Sequence, residues 1–478
     1  LCISATNYKR KEVKEVEIGA DGIGYEDVVL HIKAKTGDEV VVRATSAKKE
    51  SVNALISFQK TTNTVASVIS AEAIRRSPDK NTSEVLKRVP GTSIQEGKYL
   101  IVRGLADRYN QAMLNGILLS STEPDRKTFS FDIFPAAMID NIIINKAFVP
   151  ELPGEWAGGL VQVNTKDIPS KDFINVQVGT GFNTNVIGHD FYTYKGSNLD
   201  FLGFDNKTRA LPSGFPTKAN FNALTDNEKL TLGKSIAADN WAVDKTSALP
   251  NASLQLSGGF TGKLFKKKIG AIFAINYNRS IKRNAFKNSF FTINNNLASP
   301  DFIYNTDKYS EDVLWGGLAN FSIQLNSNNK IAVKNLFNVN ATNYAALRTG
   351  QEFISGGTDN IRARELAMRT NIFYNTQISG EHNITKLKTK LNWYGGFNIL
   401  DQYIPQQRRL SYIQTNGVGN YEASVSTGQS QKSGSVFYSN LSDYIYTAGA
   451  DITKTFKLFG NNQIFKGGYF VQVEDGLF

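Results

Sequence analysis

From Asp172 onward, apolar and polar side chains alternate with a period of two. Ile269, Ala271, Phe273, Ile275 and Tyr277 share one face, with Asn276 and Asn278 on the other. Trp315, Ala319, Phe321, Ile323 and Leu325 repeat the pattern opposite Asn320, Ser322, Gln324 and Asn326. Leu387, Leu391, Trp393, Phe397 and Ile399 do so opposite Lys388, Lys390, Asn392 and Asn398. A period of two predicts strands rather than helices, and nine can be counted before Phe478. Their expected connections take turns in length. Long ones at Ile187 to Pro250, Asn284 to Ser310 and Gln406 to Phe437, with a medium one at Ala346 to Asn360, alternate with tight ones. The tight ones fall at Gly262 to Lys268, Ser327 to Lys330, Gly380 to Thr385 and Lys457 to Asn462. Short turns on one side and long loops on the other are the rhythm of an antiparallel barrel in an outer membrane. The first strand then rises from the short-turn, periplasmic side.

The first third has a different texture. Val13 to Lys35 contains two short strand-like pieces around Gly19-Ala20-Asp21-Gly22, a turn signal. Asp38, Glu39, Val40, Val41, Val42, Arg43 and Ala44 form an extended run before the polar stretch Thr45 to Asn53. Such a run suits capture by a partner's sheet edge through backbone hydrogen bonds, and it also reads as the last strand of a preceding sandwich. Val65 to Ile69 predicts a strand. Ser70 to Arg76 predicts a short helix with a serine N-cap, and Asn81 or Thr82 opens another that reaches Arg88 before Pro90-Gly91, following the usual start and stop signals. Further on, Asn115-Gly116 between apolar segments predicts a two-residue hairpin turn. Two short helices among strands imply a small α/β unit.

Composition narrows the classes. The 478 residues carry 54 Lys and Arg against 43 Asp and Glu, a net charge of +11. The longest basic cluster is Lys266 to Lys268 and the rest is dispersed, which speaks against a nucleic-acid partner. A single cysteine, Cys2, allows no internal disulfide, and His31, His189 and His382 have no metal-ligand spacing. No run of eighteen apolar residues is present, so a membrane helix is not expected, whereas barrel strands need only about 9 to 11 residues each. With 30 Phe and 19 Tyr against 12 Pro, strands are favoured. No nucleophile-and-base constellation is visible, and Gly19 to Gly24 opens no helix, as a dinucleotide site requires. Neither catalysis nor a cofactor is expected. The chain starts at Leu1 with no leader pattern, so the expectation is that it begins inside a longer precursor.

Several motifs in one order carry a resemblance. VISAEAI, EVLKRVPG, IVRGLADRYNQAMLNG, STEPDRK and FDIFPAAMIDNIIINKAFVPELPGEWAGGLVQVNTKDIP together resemble the plug of a TonB-dependent outer-membrane receptor over nearly its full length. The resemblance implies a mainly β chain, with a small α/β plug inside a transmembrane barrel of the 22-stranded class. Residues 1–36 are similar to the end of a carboxypeptidase-regulatory-like β-sandwich of the Bacteroidetes type, 37–63 to a TonB-box region and linker, 64–169 to the plug and 170–478 to the start of the barrel. Nine strands cannot close such a barrel without leaving backbone groups unpaired in lipid, so about half of it is expected beyond Phe478.

The implied function is import of a scarce ligand such as a siderophore, glycan or peptide, by energy-coupled movement of the plug in the outer membrane of a Gram-negative bacterium. The alternative is a plugged barrel that serves as a docking or structural component of a surface complex. The implied partners are a periplasmic TonB-type protein acting on Asp38 to Ala44, outer-membrane lipid, and a ligand not legible in the sequence. The resemblance also leaves room for a surface lipoprotein. Arg103, Asp107, Arg108, Asp125 and Arg126 lie within the plug signature. Because unpaired buried charge is costly, they are expected mainly to form ion pairs from plug to wall, Arg103 foremost, with ligand contact as the lesser alternative. Asn115, Gly116, Gly154, Gly158 and Gly159 are expected at turns or close backbone approaches. Phe290, Phe291, Tyr304 and Tyr309 are loop aromatics, expected to pack the loops against themselves more readily than to stack on a ligand.

Overall fold

The structure, a computed structural model, describes residues 2–3, 11–12 and 65–477. Within the last range it omits 80, 120, 122–128, 132–133, 135, 166–168, 170, 238–240, 295–296, 354–356 and 426–431. The chain divides into two compact units, Leu1–Thr45 and Ser46–Phe478. In the first, β1 (Cys2–Ile3) pairs antiparallel with β2 (Lys11–Glu12). The expected sandwich strands of Val13 to Lys35 and the segment Asp38 to Ala44 lie outside the described residues.

The second unit opens with a small α/β fold. Its elements are β3 (Ala66–Ser70), α1 (Ala71–Arg76), α2 (Thr82–Leu86), β4 (Thr92–Gln95), β5 (Tyr99–Val102), β6 (Asn110–Leu114), β7 (Ile117–Leu118), β8 (Ile139–Asn145) and β9 (Gly159–Thr165). Ser70 caps α1 by accepting from the Ala73 N–H at 3.1 Å, and Asn81 caps α2 by accepting from the Glu84 N–H at 3.0 Å. Both helices are too short to stand alone. They are held by burying Ile74, Val85 and Leu86 against a sheet ordered β3-β8-β9-β6-β7. β6 runs parallel to β9. β4 and β5 form a separate hairpin.

The remainder is one curved wall. It comprises β10 (Phe173–Gly181), the excursion hairpin β11 (Asp190–Thr193) and β12 (Asp244–Ser247), then β13 (Asn251–Leu264), β14 (Lys267–Asn294), β15 (Leu297–Asn326), β16 (Asn329–Glu352), β17 (Asp359–Ile384), β18 (Thr389–Gln414), β19 (Glu422–Ser424), β20 (Ser435–Leu458) and β21 (Asn461–Leu477). The antiparallel path runs β10-β13-β14-β15-β16-β17-β18-β20-β21, with β19 paired on β18. Between β11 and β12 the excursion also holds α3 (Lys218–Ala223) and α4 (Asp226–Ala237).

The alternation read from the sequence is the wall's two faces. Register places Ile272, Asn320, Lys334, Gln377, Gly396 and Thr447 on one inward rung. The next rung holds Ala274, Leu318, Leu336, Asn375, Asn398 and Ile445. Their neighbours form the outward belt: Val178, Leu254, Ile275, Phe321, Ile378 and Tyr446 are all exposed. On β14 the belt runs from Ile269 to Tyr277 and gives way to charge at Arg279, about the length a tilted strand needs to cross hydrocarbon.

The connection lengths differ from expectation. β14 and β15, at 28 and 30 residues, continue through the span read as a long loop, as do β16, β17 and β18 through parts of theirs. At about 3.3 Å per residue a 28-residue strand reaches roughly 90 Å, far beyond any bilayer. Above the belt both faces of the wall meet water and protein, so the apolar alternation fades while the backbone ladder persists. The loss of pattern was read as the loss of strand.

Candidate functional site

The α/β unit fills the concave side of the wall through an apolar patch and a polar seat. In the patch, Phe134 meets Phe373 edge to face at 5.6 Å, and Ile272, Leu318, Leu336 and Leu400 join Leu114, Phe129, Ile142 and Val163 in one buried cluster. The seat is the β6–β7 turn. Asn115 (φ 51°) and Gly116 (φ 91°) are both left-handed, which a two-residue hairpin of this twist requires. Asn115 Oδ1 accepts from Thr165 N (2.9 Å), Thr165 Oγ1 (3.0 Å) and Lys334 Nζ (3.3 Å), and its carbonyl accepts from Gln377 Nε2 (3.0 Å). Asn320 Nδ2 donates to Thr165 Oγ1 at 3.3 Å. Beside them Ile117 fills the space over Gly396, where a Cβ would lie 2.2 Å from its Cδ1. A cavity of about 200 Å³ opens next to Asn115, lined by Lys334, Gln377, Glu381, Lys390, Asn392 and Tyr394 among others. At the wall's last strand, Lys466 pairs with Glu151 at 2.7 Å.

Above the belt the inner wall carries a cluster of charged side chains. Lys282 pairs with Asp312 at 2.8 Å, which also accepts from Thr342 at 2.9 Å. Glu365 accepts from Tyr344 (2.7 Å), Arg409 (3.2 Å) and Gln407. Burial alone would raise the Glu365 carboxyl, but these donors prevail and hold it below the usual carboxylate range. Lys308 Nζ sits 3.9 Å from the centre of the Tyr344 ring. Burial pushes its ammonium below the ordinary lysine value, and Lys98 and Arg369 push the same way against Asp312 and Glu365.

The excursion 182–250 packs on the opposite, outer face of the same stretch. Tyr277 Oη donates to the Phe201 carbonyl (2.7 Å), Trp315 Nε1 to the Leu202 carbonyl (2.8 Å) and Thr370 Oγ1 to the Gly203 carbonyl (2.8 Å). Arg209, 1% exposed, binds Asp200 and Asp205 (3.0 Å) and lies over Tyr194. Burial takes the Tyr194 hydroxyl up to about 12. Nothing in the reading of the sequence pointed to Arg209. The available signal was Asp200, Asp205 and Arg209 at short spacing in a stretch otherwise poor in pattern.

Residues 59–159, the α/β unit almost entire, match the family described as TonB-dependent Receptor Plug Domain. The match covers the α/β unit and not the wall. The α/β unit is thus a plug domain. The chain is 29% identical over 143 residues to the vitamin B12 transporter BtuB of Photobacterium profundum, a match spanning 29% of this chain and 22% of that one. Among solved structures it is similar to the unliganded ferric citrate transporter FecA, at 13% identity and a TM-score of 0.35, over 91% of this chain and 62% of the other. It is similar also to the siderophore receptor PiuA from Acinetobacter baumannii, at 10% identity and a TM-score of 0.36, over 87% and 62%. The chain thus spans less than two thirds of the length of these relatives.

Of the residues expected to lock plug to wall, Arg103 and Arg108 bond within the plug. Arg103 donates to the carbonyls of Lys146 and Gly158 (3.2 Å), so it ties the plug to itself. Two free carbonyls where β8 ends and β9 begins lie within its reach and satisfy the guanidinium without a wall acid. Arg108 is exposed and donates to the Tyr109 hydroxyl at 3.0 Å, while Asp107 Oδ1 accepts from the Arg108 N–H at 2.9 Å. Asp125 and Arg126 lie outside the described residues. Gly158 and Gly159 answer to close approach, with a Cβ on them meeting Asn110 Oδ1 at 2.2 Å and Val102 at 2.9 Å, and Gly154 has only ordinary contact with Phe148. The loop aromatics prove to be strand residues: Phe290 stacks on Phe302 at 6.1 Å, Phe302 on Tyr304 at 4.5 Å, and Tyr309 packs on Phe191 at 5.5 Å.

Proposed function

We propose that this receptor imports a scarce solute by energy-coupled displacement of the plug. The observation that carries the reading is the plug match over residues 59–159 together with a seat built for release. Apart from the apolar patch, the hydrogen bonds that seat the Asn115 turn on the wall come from three side chains, Lys334, Gln377 and, through Thr165, Asn320. Polar contacts of this kind exchange with water at little net cost, typically about 0.5–1.5 kcal/mol each, so the turn's hydrogen bonds oppose its release only weakly. A solute gathers above the plug. A TonB-type protein in the periplasm captures Asp38 to Ala44 by strand addition and draws on the plug. The relatives' names mention vitamin B12, ferric citrate and siderophores, which supports solute import as a class without choosing the solute.

The test follows the depletion of solutes from a complex defined medium by cells carrying the full receptor or one lacking Asp38 to Ala44. At least one solute should disappear only with the intact receptor. If the two strains deplete the medium identically, the plugged barrel is a docking component and import is wrong.

A further inference from the structure

Resting on the import reading, in which the wall crosses an outer membrane, we propose that the excursion 182–250 stands on the outer leaflet. Its foot is the turn Asp200 to Phe204, lodged at the hydrocarbon border with the Phe201 ring in lipid. The turn lies on the outer face of the wall where the apolar belt ends. Its floor is Tyr277 and Trp315, which face each other across β14 and β15. Tyr277 is two residues above the exposed Ile275, a rise of about 7 Å along the strand. Two residues higher still, Arg279 pairs with Glu311 at 2.5 Å, so the change from apolar to charged falls at the level of the turn.

Irregular backbone persists at membrane depth where protein satisfies its polar groups, and this turn meets that condition. The Leu199 carbonyl accepts from the Leu202 and Phe204 N–H groups (2.9 and 3.3 Å), and the Asp200 carbonyl from the Gly203 N–H (2.9 Å). The next three carbonyls are taken by the wall, Phe201 by Tyr277 (2.7 Å), Leu202 by Trp315 (2.8 Å) and Gly203 by Thr370 (2.8 Å). Tyrosine and tryptophan gather at the border of a membrane because each has an apolar body and a polar tip. Here both tips are spent on the turn. Phe204 meets Trp315 edge to face at 6.1 Å, and a Cβ on Gly203 would lie 2.7 Å from that of Ala341, so the backbone is drawn close onto the wall. Phe201 is left 50% exposed, continuous with the exposed belt residues Leu254 and Ile275 that flank Tyr277. An apolar group sunk to the headgroup boundary holds an element on a membrane surface. The excursion is thereby a foot beside the barrel and not a lid across its lumen.

The full receptor, its own cysteines replaced by serine, is placed in vesicles of phosphatidylethanolamine and phosphatidylglycerol with a nitroxide attached in turn at Phe201→Cys, Ile275→Cys and Ser289→Cys. Collision of each label with oxygen, which concentrates in lipid, is compared with collision with a water-soluble nickel chelate. Ile275 is the reference for lipid, and Ser289, exposed on β14 far above Arg279, the reference for water. The label at Phe201→Cys should follow Ile275→Cys, with a ratio of oxygen to nickel collisions several-fold above that of Ser289→Cys. A ratio like that of Ser289→Cys would put the turn in water and overturn the proposal. Shielding from both reagents would overturn it too, because a second copy or another membrane protein would then cover Phe201. Nickel reaching Ile275→Cys freely would bring down the membrane reading of the wall itself, whereas nickel at Phe201→Cys alone would leave that reading intact. A lipid-like Phe201→Cys without solute depletion would leave the foot standing and import fallen.

Discussion

Asn115 joins the plug's turn to the wall through Lys334 and Gln377. Its left-handed backbone is tolerated by asparagine, and its carboxamide oxygen serves the Thr165 N–H, the Thr165 hydroxyl and Lys334 at once. Asn115→Ala removes the acceptor and strains the turn, so about 1–3 kcal/mol of plug stability should be lost, read as earlier proteolysis of the plug with the wall intact. Gly396→Leu attacks the same seat by size, forcing a side chain onto Ile117 at a cost of about 1–3 kcal/mol. A thermal melt unchanged by that substitution would show that the plug does not rest there. Glu365 predicts a pH dependence. Its folded carboxyl lies below the unfolded value, so its stabilising share is complete above the unfolded carboxylate range and is lost as pH falls through the folded value. Glu365→Gln should therefore flatten the acid side of the melting profile, the more so the lower the pH.

At the level of elements, the excursion 182–250 is built round a buried charge cluster of its own and is held to the outer wall by hydrogen bonds from Tyr277, Trp315, Arg364 and Thr370 to its carbonyls. Arg209→Met leaves Asp200 and Asp205 partly buried and without their cation, a loss of about 3–5 kcal/mol. Hydrogen exchange should rise across 182–250 while β15 to β17 stay protected. Equal protection in the variant would mean that the cluster is not what holds the excursion. This element was the least legible from sequence, since its short helices and paired carboxylates follow no repeating pattern. The plug was far more legible, because Ser70, Asn81 and Asn115-Gly116 announce their turns and caps through local chemistry. The belt was legible too, as lipid on one side and packed plug on the other enforce strict alternation. Above the belt that constraint ends, and with it the pattern, although the strands continue. Arg103 misled for another reason: its charge was visible, but the Lys146 and Gly158 carbonyls that satisfy it are brought near only by the fold.

The second unit, Ser46–Phe478, holds a plug resting against a wall, with a cluster of charged side chains above the belt and a cavity beside Asn115. Its central claim is that the plug's seat opens under energy from the cell. Ile117 lies at that seat, over Gly396, and Cys2, with any further cysteine of the full receptor, can be replaced by serine. In that background, Ile117→Cys should be shielded from a maleimide at rest. The deciding measurement is maleimide labelling of that cysteine in living cells carrying the full receptor, with and without a protonophore. The account predicts labelling in energised cells that falls to the resting level when the protonophore is added or when Asp38 to Ala44 are deleted. Labelling that is the same in all three conditions would contradict it.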